Sequence, residues 1–302
     1  MDFRKIKQKD RSGVSTILVI VIVLAMVVAA GAAYVVLFAE EKETREPAPG
    51  TMMVYERSVE GESYGTLELY IVGQNKDEYF AMAKQVIGES ITTAYELSSK
   101  RTALKIIGTE DRETIDGTMK LTVCEYSFDV SGTKVQVKAY IDMSNGLVYE
   151  EEITAGGATE VRVLKDYDLK WQDSYKESSQ IGKTYKYILK YSGYEISVEL
   201  KCVADCENDQ YGMVYDFIYS IYPDLYFVCD GPEGLPADAE YVGTNTLTDT
   251  IDGDVATQMF ELTDVYGGKW TFYYEPDSKM VYEIIINHSG VVLTIKLTEK
   301  PG

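Results

Sequence analysis

The chain has 302 residues, 45% of them apolar, with 49 acidic against 29 basic side chains and a net charge of −20. That length allows one or two domains with sizeable cores. So large a negative excess repels phosphate backbones and anionic headgroups, which excludes a nucleic-acid-binding role.

In chain order, residues 1–13 form a basic leader with Arg4, Lys5, Lys7, Lys9 and Arg11 against two aspartates, a net of +3 that leaves −23 for the rest. Residues 14–38 follow as an apolar span, and from Ile17 to Phe38 no charge interrupts 22 residues. A helix of that length covers a hydrocarbon core of about 30 Å. A secretory h-region is shorter, about 7–15 residues, so the expectation is a retained single-pass anchor. Basic residues before the span and "EEKETRE" after it place the N-terminus in the cytoplasm and the rest of the chain outside it, at the cell membrane.

The stretch "DRSGVSTILVIVIVLAMVVAAGAA" resembles the N-termini of archaeal type IV pilin-like proteins. The resemblance implies Arg11 as the basic residue of a processing site and Ser12 or Gly13 as the position before the cut. It also implies a span that packs into a filament core. Leu18 stands where that family has glutamate. A plain signal anchor fits the same residues and is the reading adopted, with a filament subunit as its alternative.

Residues 39–51, "AEEKETREPAPGT", carry charge, two prolines and no apolar period, which predicts an extended stalk. Beyond it the sequence turns strand-like and repeats itself. "IIGTEDRETIDG" (106–117) matches "YVGTNTLTDTIDG" (241–253), "DVSGTK" (129–134) matches "DVYGGK" (264–269), and "VYE" recurs at 148–150 and 281–283. Val135, Val137 and Ala139 alternate with Gln136, Lys138 and Tyr140, as Trp270, Phe272 and Tyr274 alternate with Thr271, Tyr273 and Glu275. Strand period is two, so each copy is expected to turn one apolar face inward. The fold class read from this is mainly β: one N-terminal transmembrane helix followed by two duplicated antiparallel β-meander domains, curved sheets or half-barrels, at 52–165 and 166–302. Residues 77–99 stay open between strands and a helix, because Phe80, Ala83, Ile87, Ile91 and Ala94 have helical spacing.

The "GT…TIDG" turn followed by an amphipathic meander resembles the curved half-open sheets of the LolA-like lipoprotein-carrier group. That resemblance implies a concave face able to hold an acyl chain. It transfers no site residue.

Little of the sequence reads as catalytic chemistry. His288 is the only histidine and lacks partners for a triad or a zinc set. Asn287-His288-Ser289 is a formal glycosylation sequon on Asn287. Of the four cysteines, Cys124 reads as a buried thiol aligned with Phe260. Cys202 with Cys229, or Cys206 with Cys229, are the disulfide pairings considered, and a zinc site at Cys202 and Cys206 ranks below them. "ADCENDQYG" (204–212) lacks calcium-loop spacing. "TDTIDGD" (248–254) keeps only one of its three aspartates in the other copy, where Glu113 and Thr118 stand for Asp249 and Asp254, and lacks calcium-loop spacing, so it reads as a hairpin corner. The 25 tyrosines suit strands with one wet face, with sugar stacking or lipid enclosure as rivals.

The expectation is a non-catalytic, anchored extracytoplasmic module for surface interaction, adhesion or an envelope role, without cofactor or metal. Its partners would be the membrane, through the N-terminal helix, and an envelope protein, glycan or lipid ligand. A pilin-like filament subunit and a hydrophobic-ligand carrier are the alternatives, with an extracellular hydrolase behind them.

Overall fold

A computed structural model describes residues 46–301 apart from 100–103, 131–132, 173–174, 192, 218–224 and 265–266. The leader, the apolar span at 14–38, the first part of the stalk, and with them Arg11, Ser12 and Gly13, lie outside the described residues. Among those described, every regular element is a β-strand, and no helix is long and apolar enough to cross a membrane.

The chain folds as two units. Of the described residues, the first takes in those from 46 to 70, Ala81–Thr92 and those from 96 to 172; the second takes in Ile71–Phe80, Thr93–Tyr95 and those from 175 to 301. The strands in chain order are β1 (Glu46–Pro47), β2 (Met52–Val59), β3 (Glu62–Gln74), β4 (Glu78–Ile87), β5 (Ser90–Ser99), β6 (Lys105–Thr114), β7 (Gly117–Val130), β8 (Thr133–Asp142), β9 (Leu147–Ala155) and β10 (Ala158–Asp168). They continue as β11 (Trp171–Gln172), β12 (Thr184–Tyr191), β13 (Tyr194–Cys206), β14 (Tyr211–Phe217), β15 (Leu225–Cys229), β16 (Glu240–Thr250), β17 (Gly253–Thr263), β18 (Lys269–Glu275), β19 (Met280–His288) and β20 (Val291–Glu299).

One open alternative is settled and one expectation is corrected. Residues 77–99 are not a helix but β4 and β5, and two members of the helical stripe, Ile87 and Ile91, are exposed at 37% and 64%. Gly88 has a φ of 59° at the corner between these strands, a conformation that ends a helix and suits a turn. The expected half-open meanders are corrected within each unit: the opening strand, β2 or β12, pairs onto the last meander strand, β10 or β20. The end of the expected stalk is tied down as well: β1 pairs with β11, and Thr51, fully buried, donates from Oγ1 to the Lys170 carbonyl at 3.1 Å.

Each unit can be followed strand by strand. In the first, antiparallel pairing runs β6–β7–β8–β9–β10–β2–β3. In the second it runs β16–β17–β18–β19–β20–β12–β13, then on to β14 and β15. A five-strand meander thus closes onto the strand that opens each unit, and every strand of the first order has its counterpart ten places later.

The registers agree in detail. Thr114 faces Gly117 and Thr250 faces Gly253 across the two Thr-Ile-Asp-Gly corners. In each corner the Thr Oγ1 donates to the Gly carbonyl and accepts from the Asp backbone N–H. Gly117 and Gly253 take φ values of 95° and 87°, which a side chain would strain. Bulges fall beside Gly108 and Gly243, and again at Tyr140/Ile141 and Tyr273/Tyr274. Ile106 faces Cys124 as Tyr241 faces Phe260.

Long-range side-chain bonds repeat too. Tyr149 Oη donates to Asp116 at 2.6 Å, and Tyr282 Oη donates to Asp252. Tyr55 Oη donates to the Val148 carbonyl at 3.1 Å, and Tyr187 Oη to the Val281 carbonyl at 3.0 Å.

Inward faces follow the period of two. Val135, Val137 and Ala139 are buried, as are Trp270 and Phe272, with Tyr274 partly so. Tyr140, expected to face outward, is also buried. It keeps the face of Lys138 and is covered there, with the Arg112 guanidinium 3.9 Å and Lys138 Nζ 4.8 Å from its ring centroid, and its hydroxyl donates to Glu152 at 2.8 Å.

Candidate functional site

The interior of the first unit contains charges where the strand pattern leads one to expect hydrocarbon. On β2, Met53, Tyr55 and Arg57 share a face; on β9, Glu151, Ile153 and Ala155; on β10, Glu160, Arg162 and Leu164; on β5, Glu96 and Ser98. All are buried, and none of the five ionisable residues exposes more than 7% of its surface.

Glu160 is the hub. Arg57 grips it with both ends of its fork, Nε to Oε1 at 2.8 Å and Nη2 to Oε2 at 3.1 Å, while its Nη1 donates to Gln85 Oε1 at 2.8 Å. Arg162 Nε donates to the same Glu160 Oε1 at 2.8 Å. On its other side Arg162 Nη1 lies 3.6 Å from Glu151 Oε2, an ion pair without a hydrogen bond. The Arg57 guanidinium lies 5.0 Å from the Tyr64 ring centroid, a cation–π contact.

These surroundings separate the three carboxyls. Burial alone would raise Glu160, but the Arg162 and Arg57 charges and their hydrogen bonds outweigh it and hold the group below the ordinary carboxylate range. Burial pushes Glu151 up to about 7, against the pull of Arg162 and with help from Glu160. Burial pushes Glu96 well above its ordinary value, and Arg162 offsets this only in part. Two guanidinium charges therefore face one carboxylate held ionised, one poised near neutrality and one whose proton is favoured by burial.

The second unit supplies an internal reference. Arg57 faces Arg162, Arg162 faces Glu151 and Glu160 faces Ile153; at matching register Leu189 faces Ile295, Ile295 faces Ile284 and Leu293 faces Ile286. The four charged residues of the first unit thus occupy the positions of Leu189, Ile295, Ile284 and Leu293. Those four belong to, or pack against, an apolar core centred on Trp270, Phe272, Tyr215 and Phe227. Trp270 donates its indole N–H to Asp264 at 2.7 Å within that core.

The residues singled out in the sequence sit elsewhere. All four cysteines are free, with Cys124, Cys202 and Cys229 buried. Cys202 on β13 and Cys229 on β15 are not on neighbouring strands, because β14 runs between them. Two strand spacings, roughly 9–10 Å, exceed the reach of a disulfide, and the same separation holds for Cys206 and Cys229. Asn287 is exposed on β19, and His288 ends that strand facing Val291 across a Ser-Gly turn. In "ADCENDQYG" the Asp205 carboxylate accepts from the Tyr175 hydroxyl at 2.9 Å and the Ser178 N–H at 2.8 Å, which makes it a loop tie. An open groove of about 510 Å³ on the second unit, between Thr244–Thr246, Ala256–Gln258 and Glu275–Asp277, has hydroxyl, amide and carboxylate walls without a buried charge. None of these is brought to the Arg57–Glu160–Arg162–Glu151 cluster, which the sequence reading missed. The signal was present: Arg57 falls between Tyr55 and Val59 and Glu151 between Tyr149 and Ile153 at strand period, and Glu160 and Arg162 together fall between Ala158 and Leu164.

No protein-family model matches the chain. No curated protein matches it. Among solved structures the chain is similar to MucB in complex with MucA(peri), at TM-score 0.28 and 9% identity over 83% of this chain and 89% of that one. It is similar to the MucA/MucB complex of Pseudomonas aeruginosa at 0.27 and 8% over 82% and 86%. A protein of unknown function of the DUF3598 family from Nostoc punctiforme PCC 73102 follows at 0.17 and 10% over 83% and 96%. At these scores nothing further is built on the likeness.

Proposed function

We propose that the chain is a non-catalytic, extracytoplasmic binding module, associated with the cell envelope, whose first unit carries a recognition site in its interior. The observation that carries this is the register-matched exchange of Leu189, Ile284, Leu293 and Ile295 for Arg57, Glu151, Glu160 and Arg162. Buried ion networks seldom improve stability over hydrocarbon of similar volume, and the second unit shows that this frame holds hydrocarbon there. A cost retained in one copy and avoided in the other points to recognition. The net charge of −20 supports a role away from nucleic acid, and the uneven charge around the N-terminal apolar stretch supports placement outside the cytoplasm. The filled aromatic core of the second unit assigns that unit a structural part and speaks against an acyl chain there.

The test uses the fourfold variant Arg57→Leu, Glu151→Ile, Glu160→Leu and Arg162→Ile, which writes the second unit's solution into the first. Native mass spectrometry of the full chain purified from cells is expected to show a non-covalent adduct on the wild type. The variant, folded by near-UV circular dichroism, is expected to lack it. Identical adduct profiles for the two proteins, or no adduct on either, would count against the reading.

A further inference from the structure

Arg162 is the least satisfied member of the cluster. Its side chain is 1% exposed, Nε is engaged by Glu160, and Nη1 makes no hydrogen bond. Two more buried polar atoms without a hydrogen-bond partner lie on the inward face of β5: Glu96 Oε1 and Ser98 Oγ, in side chains 7% and 4% exposed. Glu96 is close enough to feel the Arg162 charge, and Ser98, two residues on, points to the same side of the sheet. A buried polar group left unpaired is costly, so an unpaired Arg162 Nη1, with unpaired Glu96 Oε1 within reach of its charge and unpaired Ser98 Oγ on the same face of β5, describes a place built to be completed by an incoming acceptor.

Resting on the binding reading above, we propose that the group recognised is a single carboxylate carried by the ligand, seated on Arg162 Nη1 with Ser98 alongside, and that it takes the place of Glu151 as the partner of Arg162. A planar carboxylate matches a guanidinium edge. One negative charge is what the site can accept: Glu160 already neutralises one of the two arginines, and burying a dianion beside it costs far more than burying a monoanion. No covalent bond forms. The ligand's carboxylate arrives with one proton from water, and that proton goes to Glu151 as it leaves Arg162.

The groups that face this exchange come from every strand around it. They are Glu160 and Arg162 on β10, Arg57 on β2, Tyr64 on β3, the neutral Gln85 on β4, Glu96 on β5 and Tyr126 on β7, whose hydroxyl is held protonated by burial beside Glu151. Glu151, the group they surround, is raised to about 7 by burial and lies 3.6 Å from Arg162 Nη1, so carboxylate binding there is coupled to its protonation.

Calorimetric titration of the full chain with acetate, dodecanoate, a short neutral peptide with a free or an amidated C-terminus, and inorganic phosphate tests this. Carboxylate affinity is expected to rise about tenfold per pH unit between about pH 8.5 and 7.5 and to level off below about pH 6.5. Ser98→Ala is expected to weaken binding about 5- to 10-fold, the fourfold hydrocarbon variant to abolish it while still folded. Dodecanoate against the free-terminus peptide separates the two carriers of the group, and the amidated peptide should not bind. Affinity that ignores pH, equal binding by the fourfold variant, or phosphate binding as tightly as carboxylate overturns the proposal. If a native adduct is lost in the fourfold variant yet no carboxylate binds, the carboxylate assignment fails and the binding reading stands. If there is neither adduct nor binding, both fail.

Discussion

In the second unit Tyr215, Phe227, Trp270 and Phe272 close over one another with neighbouring ring centroids between 5.5 and 6.5 Å apart. At the matching depth of the first unit, Arg57 and Arg162 converge on one glutamate. Strand order, bulges, corner hydrogen bonds and the Tyr-to-carbonyl bond are shared, so the contrast isolates what the side chains add. One filling is bound by area and dispersion and tolerates small losses. The other is bound by charge balance, where a missing partner leaves an uncompensated ion.

The largest expected effect breaks that balance. Glu160→Leu alone leaves two buried guanidiniums without their hub and should destabilise the first unit by about 3–5 kcal/mol. The fourfold hydrocarbon exchange should be neutral or stabilising, by up to about 4 kcal/mol. Hydrogen exchange on β9–β10 peptides, with β19–β20 peptides as the internal control, reads both. A single variant milder than the fourfold one would mean that the four residues do not act as a set. Trp270→Ala is the mirror experiment: a loss of about 3–5 kcal/mol confined to the second unit.

How much of this could be read beforehand depended on how local the signal was. The Thr-Ile-Asp-Gly corners were legible because four adjacent residues make the turn: threonine closes it and glycine supplies its positive φ. The aspartate does more than turn the chain. In each copy it reaches a tyrosine about thirty residues away, Tyr149 or Tyr282, a link that sequence spacing does not show. Residues 77–99 stayed open through composition. Their apolar residues are dense enough to satisfy two periods, and Gly88 at the corner was the better guide. Strand order around the cysteines was not legible either: β14 pairs with both β13 and β15, which puts a strand between Cys202 and Cys229. The charged cluster was hidden by residue type. Arginine and glutamate on alternating strands are ordinarily solvated, and only the phase set by Tyr55, Ile153 and Leu164 shows that these face inward.

A smaller effect separates the units by pH. Glu151 is raised in the folded state, so its contribution is fully present below the unfolded value near 4.5 and is lost as pH rises through about 7. Glu96 acts in the same direction, while Glu160, lowered, loses its contribution as pH falls below the ordinary carboxylate range. The first unit should therefore be most stable near pH 5 and lose up to about 3 kcal/mol by neutrality. Ile284, Ile295, Leu293 and Leu189 cannot titrate, so this slope should be absent from β19–β20. It should also vanish from β9–β10 in the fourfold variant. A slope that survives there would place the titrating group outside the cluster.

The smallest effect tests whether the frames are equivalent at all. Tyr55 and Tyr187 are buried at 4% and 1% exposure and donate to the carbonyls of Val148 and Val281, which stand at matching places in the two meanders. Replacing either by phenylalanine keeps the ring and strands one buried carbonyl, at about 1–2 kcal/mol. Because the bond ties the opening strand to the fourth meander strand in both units, the two losses should agree within about 0.5 kcal/mol and add in the double variant. Unequal losses would show that the charged filling strains its frame, and the larger loss should then fall on Tyr55→Phe. In that case the fourfold exchange should bring the Tyr55 loss back to the Tyr187 value, which ties the difference to the four charges rather than to the strands.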